Sequence, residues 1–225
     1  MGIWTGTDQA RLDEALARGD RRRVTASADR FARVVAGGAG GPVLLAQGLE
    51  LLHRIHFHGY GETARRLAET LLQHGLDHPR VRCRYALALL DGGLIAAAEA
   101  VLLRLPSAFV RDDALARGAM ARVHHARYLA ARRPADLAEA IRWYRSTYLA
   151  APLANCDHGV RAAELLLLAA RERVRLDGYA TPATEAAGLA LAVRNRLDAL
   201  ENPDGWQLAV AGEARKILET APRLS

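Results

Sequence analysis

Three histidines close together in the chain are the first residues whose type and spacing could do chemistry. His53 and His56 lie three residues apart on one face of a predicted helix, and His58 follows two residues later. Imidazole nitrogens are common zinc ligands, but the helical zinc motif H-E-x-x-H needs a spacing of four and an adjacent glutamate. Because both are missing, we expect no metal and no cofactor, and His53 and His56 become candidates for binding a ligand.

A glycine-rich segment at residues 37–42 could bind an anion through its backbone amides, because it precedes a predicted helix. It contains neither G-x-x-x-x-G-K-[ST] nor G-x-G-x-x-G, and no predicted strand leads into it. We therefore interpret it as a flexible hinge. It would separate an N-terminal helical cap at residues 1–36 from a repeat domain at 43–221, the whole forming one structural unit.

Nucleophilic catalysis has no recognisable motif in this chain. The nucleophile elbow G-x-S-x-G is absent from the sequence. The adjacent carboxylates Asp112 and Asp113 lie close to a predicted helix N-terminus, where the helix dipole already accounts for acidic residues. We expect the protein not to be an enzyme.

The composition favours a protein of the cytoplasm. Of 225 residues, 51% are hydrophobic, and the two cysteines are too few and too far apart for a disulfide framework. The N-terminal segment lacks the apolar stretch of a signal peptide, and no stretch is long and apolar enough for a membrane span. The net charge of +6 comes almost wholly from arginine, which a GC-rich genome also produces, so nucleic acid is not an expected partner.

Helical periodicity dominates the whole chain, with Ala, Leu, Arg and Glu abundant and β-branched alternation nearly absent. Gly, Pro and Asn-Asp turns separate the helical segments. The sequence predicts about eleven helices, at 8–18, 21–36, 43–57, 62–74, 79–91, 94–105, 112–132, 135–150, 157–175, 182–201 and 206–220. A longer loop is expected over residues 105–113.

Short helix pairs with small residues at recurring positions indicate an internal repeat. Gly59 with Ala64 and Gly93 with Ala98 match the tetratricopeptide pattern, 34 residues apart, which is the tetratricopeptide period. Ala140 begins a third match. We therefore predict an all-α, right-handed solenoid of antiparallel tetratricopeptide-like helix pairs. The alternative is an irregular helical bundle.

Four segments between residues 80 and 220 resemble motifs of one divergent tetratricopeptide family. Residues 113–122 are similar to its E-x-x-G-x-x-x-R helix, and 140–148 to its A-I-x-x-Y-x-x-x-F/Y helix. Residues 158–166 are similar to Y-x-G-I-N-A-A-x-L-L, and 205–214 to W-x-x-A-T-x-x-E. The family is the short tetratricopeptide, or TRAFs-binding, domain of apoptosis signal-regulating kinases and of bacterial caspase-associated conflict proteins.

The resemblance implies a scaffold or sensor domain without catalytic chemistry of its own. This sequence departs from the family at two polar positions. Arg161 stands where the family usually has asparagine, and the family's lysine near His125 is missing. The departures leave open whether this position binds a different ligand or is structural.

The predicted repeat register places a set of basic and aromatic residues on the concave face of the solenoid. These residues are His53, His56, Phe57, Arg80, Arg84, Arg122, His125 and Arg161. Arginine can bind a carboxylate or phosphate through two parallel hydrogen bonds, and histidine adds charge at mildly acidic pH. The alternative is that these arginines only solvate an exposed face and pair with Asp or Glu.

We therefore expect a non-enzymatic binding or sensor module that recognises an anionic peptide, protein segment or nucleotide-like signal. The resemblance alone implies what it would report to, namely an effector such as a caspase-like protease in a bacterial defence or signalling system. The expected partner is a protein or an anionic small-molecule signal, without a membrane. The alternative function is an assembly scaffold that self-associates through apolar helix faces and needs no small ligand.

Overall fold

The structure is a computed structural model that describes residues 3–38 and 41–221, and most of these residues lie in helices. Within these ranges there are twelve helices and, between Leu176 and Tyr179, one isolated β-bridge. In chain order they are α1 Gly6–Ala17, α2 Arg21–Ala36, α3 Pro42–Phe57, α4 Gly61–Gln73, α5 Pro79–Asp91, α6 Ile95–Leu102, α7 Ser107–Asp112, α8 Ala114–Ala131, α9 Pro134–Ala150, α10 Cys156–Glu172, α11 Pro182–Asp198 and α12 Gly205–Thr220. The predicted all-α fold of consecutive helix pairs is confirmed. No helix in the described ranges is long and apolar enough to cross a bilayer.

Prolines and glycines set most helix boundaries, as predicted. Helices α3, α5, α9 and α11 each begin with a proline, whose fixed φ and missing amide suit the first helical turn. Gly59 and Gly93, with φ of +81° and +75°, adopt the left-handed conformation at the turns that define the predicted register. The alanines of that register, Ala64, Ala98 and Ala140, are all buried between helices.

Two connections differ from the prediction or lie partly outside the structure. The predicted loop at residues 105–113 contains the short helix α7, and none of the α7 residues is buried, so no apolar periodicity marks it. In the predicted glycine-rich loop at 37–42, Gly37 caps α2 and Pro42 already begins α3. Residues 39 and 40 lie outside the described residues.

The chain divides into two compact units, residues 1–109 and 110–225. The core of the first unit includes side chains from α1 to α5, so the helices of the expected cap at 1–36 share one hydrophobic core with α3, α4 and α5. The core of the second unit includes side chains from α8 to α12. The expected repeat domain at 43–221, the single structural unit and the right-handed sense of the solenoid stay predictions.

Helix stacking in the first unit follows the pattern of repeated pairs, because α2 contacts α4 and α3 contacts α5 in addition to their chain neighbours. A buried carboxylate joins the first two helices. Arg30 donates to Asp8 from Nε at 2.6 Å and from Nη2 at 3.1 Å, and Asp8 also completes a capping box with Thr5. The hydrogen bonds from Arg30 lower the pKa of Asp8 to about 2.

Helix α10 is the central element of the second unit, where it packs against α9, α11 and α12. Its leucines Leu165, Leu166 and Leu167 are buried and Leu168 is partly buried, so the neighbouring helices enclose this segment of α10. At Gly159 the approach is so close that a Cβ atom would lie 2.7 Å from Val193 Cγ2 and 2.8 Å from the Tyr148 ring. Only a glycine allows α10 to touch α9 and α11 at this level.

We predict that Gly159→Ala destabilises the protein by about 1–3 kcal/mol, because the added methyl group overpacks a contact between three helices. The matched control is Gly188→Ala, which lies inside α11 with no atom within 4 Å of the added Cβ. Alanine has a higher helix propensity than glycine, so Gly188→Ala should raise the free energy of unfolding by up to about 1 kcal/mol. Urea unfolding of both variants, followed by circular dichroism, measures the two effects. Equal stability changes in the two variants would contradict the close approach.

Candidate functional site

Three of the predicted binding residues line one pocket of about 400 Å³ in the second unit. Helices α8, α9 and α10 form its walls. The complete lining is Arg122, His125, Tyr144, Arg161, Glu164 and Leu165. Two guanidinium groups, an imidazole and a phenol therefore converge on one concavity.

Two polar clusters hold α8, the helix that carries Arg122 and His125. Asp136 is buried and pairs with Arg127 Nε at 3.0 Å and with Arg133 Nε at 2.8 Å, which ties α8 to the start of α9. At the next residue of α8, the buried Tyr128 hydroxyl donates to Glu172 at the end of α10. These contacts fix α8 against both of its neighbours, so the orientation of its pocket-facing residues is set by the core.

A second glycine brings α8 and α10 together near the pocket. A Cβ atom on Gly118 would lie 2.7 Å from Nε2 of His158, so the His158 ring packs directly against the α8 backbone. The same ring lies 5.7 Å from the Tyr144 ring, and Asp157 contacts its Nδ1 at 3.1 Å. His158 thus acts as a spacer beneath the pocket, and it supports Tyr144 from the α10 side.

The electrostatics of the pocket favour a neutral histidine and a neutral phenol. Burial lowers the pKa of His125, and the charges of Arg122 and Arg161 act in the same direction. Burial also raises the pKa of Tyr144 to about 12. At neutral pH the positive charge of the pocket therefore comes from the arginines, and Tyr144 keeps its hydroxyl proton.

Arg161 also has an acidic neighbour. Its Nη1 donates to Glu164 Oε2 at 2.7 Å, one turn further along α10, and the side chains are 52% and 38% exposed. A solvent-exposed pair at this spacing contributes only a few tenths of a kcal/mol. A stronger anionic ligand can compete with Glu164 for the guanidinium at little cost.

The other five predicted residues lie in the first unit. His56 Nε2 lies 2.6 Å from Asp91 Oδ2 and joins α3 to the end of α5. Partial burial lowers the pKa of His53, and the positive charge of Arg84 acts in the same direction.

The remaining two residues of this set are exposed. Phe57 is 73% exposed and its ring is 6.1 Å from that of His53, while Arg80 lies one turn before Arg84 in the first turn of α5. That the residues of both units line one continuous groove stays a prediction.

Three residues of the pocket are missing from the predicted binding set. Tyr144 is one of them, and its ring is buried while the residue lines the pocket. Glu164 and Leu165 are the other two. Helical spacing from Arg161 could have found both, since residues three and four further on share its face.

A larger concavity of the second unit, about 970 Å³, lies elsewhere, along the connection between α10 and α11. Its lining is residues 173–181 and the adjacent ends of the two helices, and it includes none of the predicted binding residues. We take the smaller pocket as the candidate site because the cationic side chains converge there.

We predict that the pocket binds sulfate more tightly as the pH falls from 7.5 to 5.5. A bound anion stabilises protonated His125, whose pKa is depressed in the empty pocket, so binding takes up a proton. A rise of one unit in that pKa corresponds to an affinity gain of up to about tenfold. Sulfate keeps its charge over this range, so calorimetric titrations report the protein alone. His125→Gln should bind sulfate with little pH dependence. If this variant kept the pH dependence of the unsubstituted protein, the assignment to His125 would be contradicted.

The comparisons with known proteins leave the site to be interpreted from its own chemistry. No protein-family model matches the chain, and no curated protein or solved structure matches it either. Across residues 3–38 and 41–221, no three His, Cys, Asp or Glu side chains come together as a metal site would require. The convergent arginines of the second unit are therefore the feature on which a function can be argued.

Proposed function

We propose that this protein is a non-enzymatic binding module that recognises an anionic ligand through the pocket of Arg122, His125 and Arg161. The observation that carries the proposal is the convergence of two guanidinium groups and an imidazole on a pocket of about 400 Å³. Arginine forks bind planar oxyanions through paired hydrogen bonds. The ligand class is a carboxylate or phosphate borne by a peptide, a protein segment or a nucleotide-like signal.

The rigid surroundings of the pocket support recognition. The α8 helix is held by Asp136 and Glu172, and α10 is held by the close contact at Gly159, so the two cationic walls need not be ordered by the ligand. Preorganised groups lose less conformational entropy on binding. Tyr144 adds a hydroxyl donor, which can bond an oxyanion without bringing a charge.

The wider role that we propose is that of a sensor that reports ligand binding to an effector in the cytoplasm. Its support is the resemblance to the short tetratricopeptide family, together with the packing of consecutive helices in pairs within each unit. On that resemblance the effector would be a caspase-like protease of a bacterial defence or signalling system. In such a sensor, the pocket would be the part that binds the ligand.

We predict that Arg122→Glu and Arg161→Ala each weaken sulfate binding at least about tenfold, since each removes a charge-assisted hydrogen bond. Arg142→Ala is the matched control. Like Arg161, Arg142 is an exposed arginine paired with a glutamate three residues away, but on α9 and outside the pocket. Titration calorimetry at fixed ionic strength measures the affinities, and circular dichroism checks that helicity is unchanged.

Equal affinities for Arg161→Ala and Arg142→Ala would show that any anion binding reflects the net charge alone. Arg84→Glu, in the first unit, tests whether residues outside the pocket take part. A loss of affinity in that variant would support the continuous groove predicted from the sequence.

Self-association is a second candidate function, which large exposed leucines favour. In the second unit, Leu149 is 61% exposed and Leu208 is 58% exposed. Burying such side chains between copies would release about 25 cal/mol for each Å² of apolar surface. On this hypothesis light scattering should give a mass that rises with protein concentration, and Leu208→Ser should reduce the rise. A constant monomer mass would exclude the scaffold role.

A further inference from the structure

A second pocket, of about 450 Å³, adjoins the anion-binding pocket and has a different chemical character. Helices α8, α10 and α12 form it. Four aliphatic side chains line it, of which Leu165, Leu167 and Ile217 are buried and Leu168 is partly buried. A ligand group that entered would meet the apolar core of the unit.

The two pockets are adjacent and share part of their lining. His125, Glu164 and Leu165 line both of them, with the arginine pair in the first pocket and the aliphatic side chains in the second. A ligand that fills both must carry its charge beside His125 and its apolar part along Leu168 and Ile217.

We propose that the ligand is a small organic anion whose carboxylate or phosphate is joined to a short aliphatic body, with the head group held by Arg122 and Arg161 and the body in the second pocket. This inference rests on the proposed function, because the head group occupies the same site. Ligand sites typically combine apolar walls with a few placed polar groups, at volumes of roughly 300–1,000 Å³. The paired pockets have that composition, and each falls in this size range.

Polar side chains in the second pocket limit the length of the aliphatic body. Arg171, Glu213, Lys216 and Thr220 line this pocket in addition to the apolar residues. A short chain stays on the apolar residues, whereas a long one would reach charged side chains. The expected body is therefore about four to six carbons.

A series of straight-chain carboxylates tests the proposal: acetate, butyrate and hexanoate, titrated into the whole protein at constant pH and ionic strength. The ligand-induced shift of the His125 imidazole proton, assigned with His125→Gln, gives the affinities. We expect the affinity to rise by about three- to fourfold for each methylene that becomes buried. Octanoate should gain little over hexanoate.

Variants separate the two parts of the ligand. Leu168→Asn should weaken hexanoate several-fold and leave acetate unchanged, whereas Arg161→Ala should weaken both. Leu191→Asn, at an exposed leucine of α11 outside the pocket, is the control. If Leu168→Asn fails to fold, the smaller change Ile217→Val should still weaken hexanoate relative to acetate.

The outcomes distinguish this inference from the proposed function. Equal affinities for acetate and hexanoate, both lost in Arg161→Ala, would overturn the aliphatic body and support the anion site. Failure of sulfate and of every carboxylate to bind would overturn both. A chain-length dependence that survives in Leu168→Asn and in Ile217→Val would place the apolar group elsewhere and overturn the second pocket.

Discussion

The closeness of three helices at Gly159 is the constraint on which the second unit depends. With a hydrogen atom for a side chain, α10 touches Tyr148 of α9 and Val193 of α11 together, at distances that no larger residue permits. Arg161 follows two residues later on the same rigid helix, and His158 precedes Gly159 and packs against the α8 backbone at Gly118. The position of the pocket's α10 wall is thus a consequence of core packing.

The arginines of the chain divide into those that bind the protein to itself and those that can bind something else. Arg30, Arg127 and Arg133 hold buried carboxylates, so an external anion would have to displace an optimally placed partner. Arg161 is hydrogen-bonded to the partly exposed Glu164, a weak competitor. An arginine side chain carries the same positive charge in both classes, so charge does not distinguish them. Burial of the acidic partner decides which arginines can take part in recognition.

The sequence predicts a helix well where a local signal marks its start or end. It predicts the candidate site only in part. Pro79 and Pro182 start helices because the ring suits a first turn, and that chemistry is local. Helix α7 has no buried residues, so no apolar periodicity in the sequence predicts it. The meeting of Arg122 with Arg161 depends on how α8 packs against α10, which is set by contacts such as that between His158 and Gly118. The spacing of Arg122 and Arg161 along the chain therefore does not predict that they line the same pocket.

The residues on which the proposed family resemblance rests have mainly packing roles in this structure. Gly118 and Gly159 allow close helix contacts, and Ala140 and Tyr148 are buried. Such packing does not specify a ligand, because two-helix units stack in only a few ways whatever they bind. Arg161, by contrast, lines the pocket. The chemistry of the ligand must therefore be derived from Arg161 and its neighbours, because the packing residues would support the same helix arrangement around a different pocket.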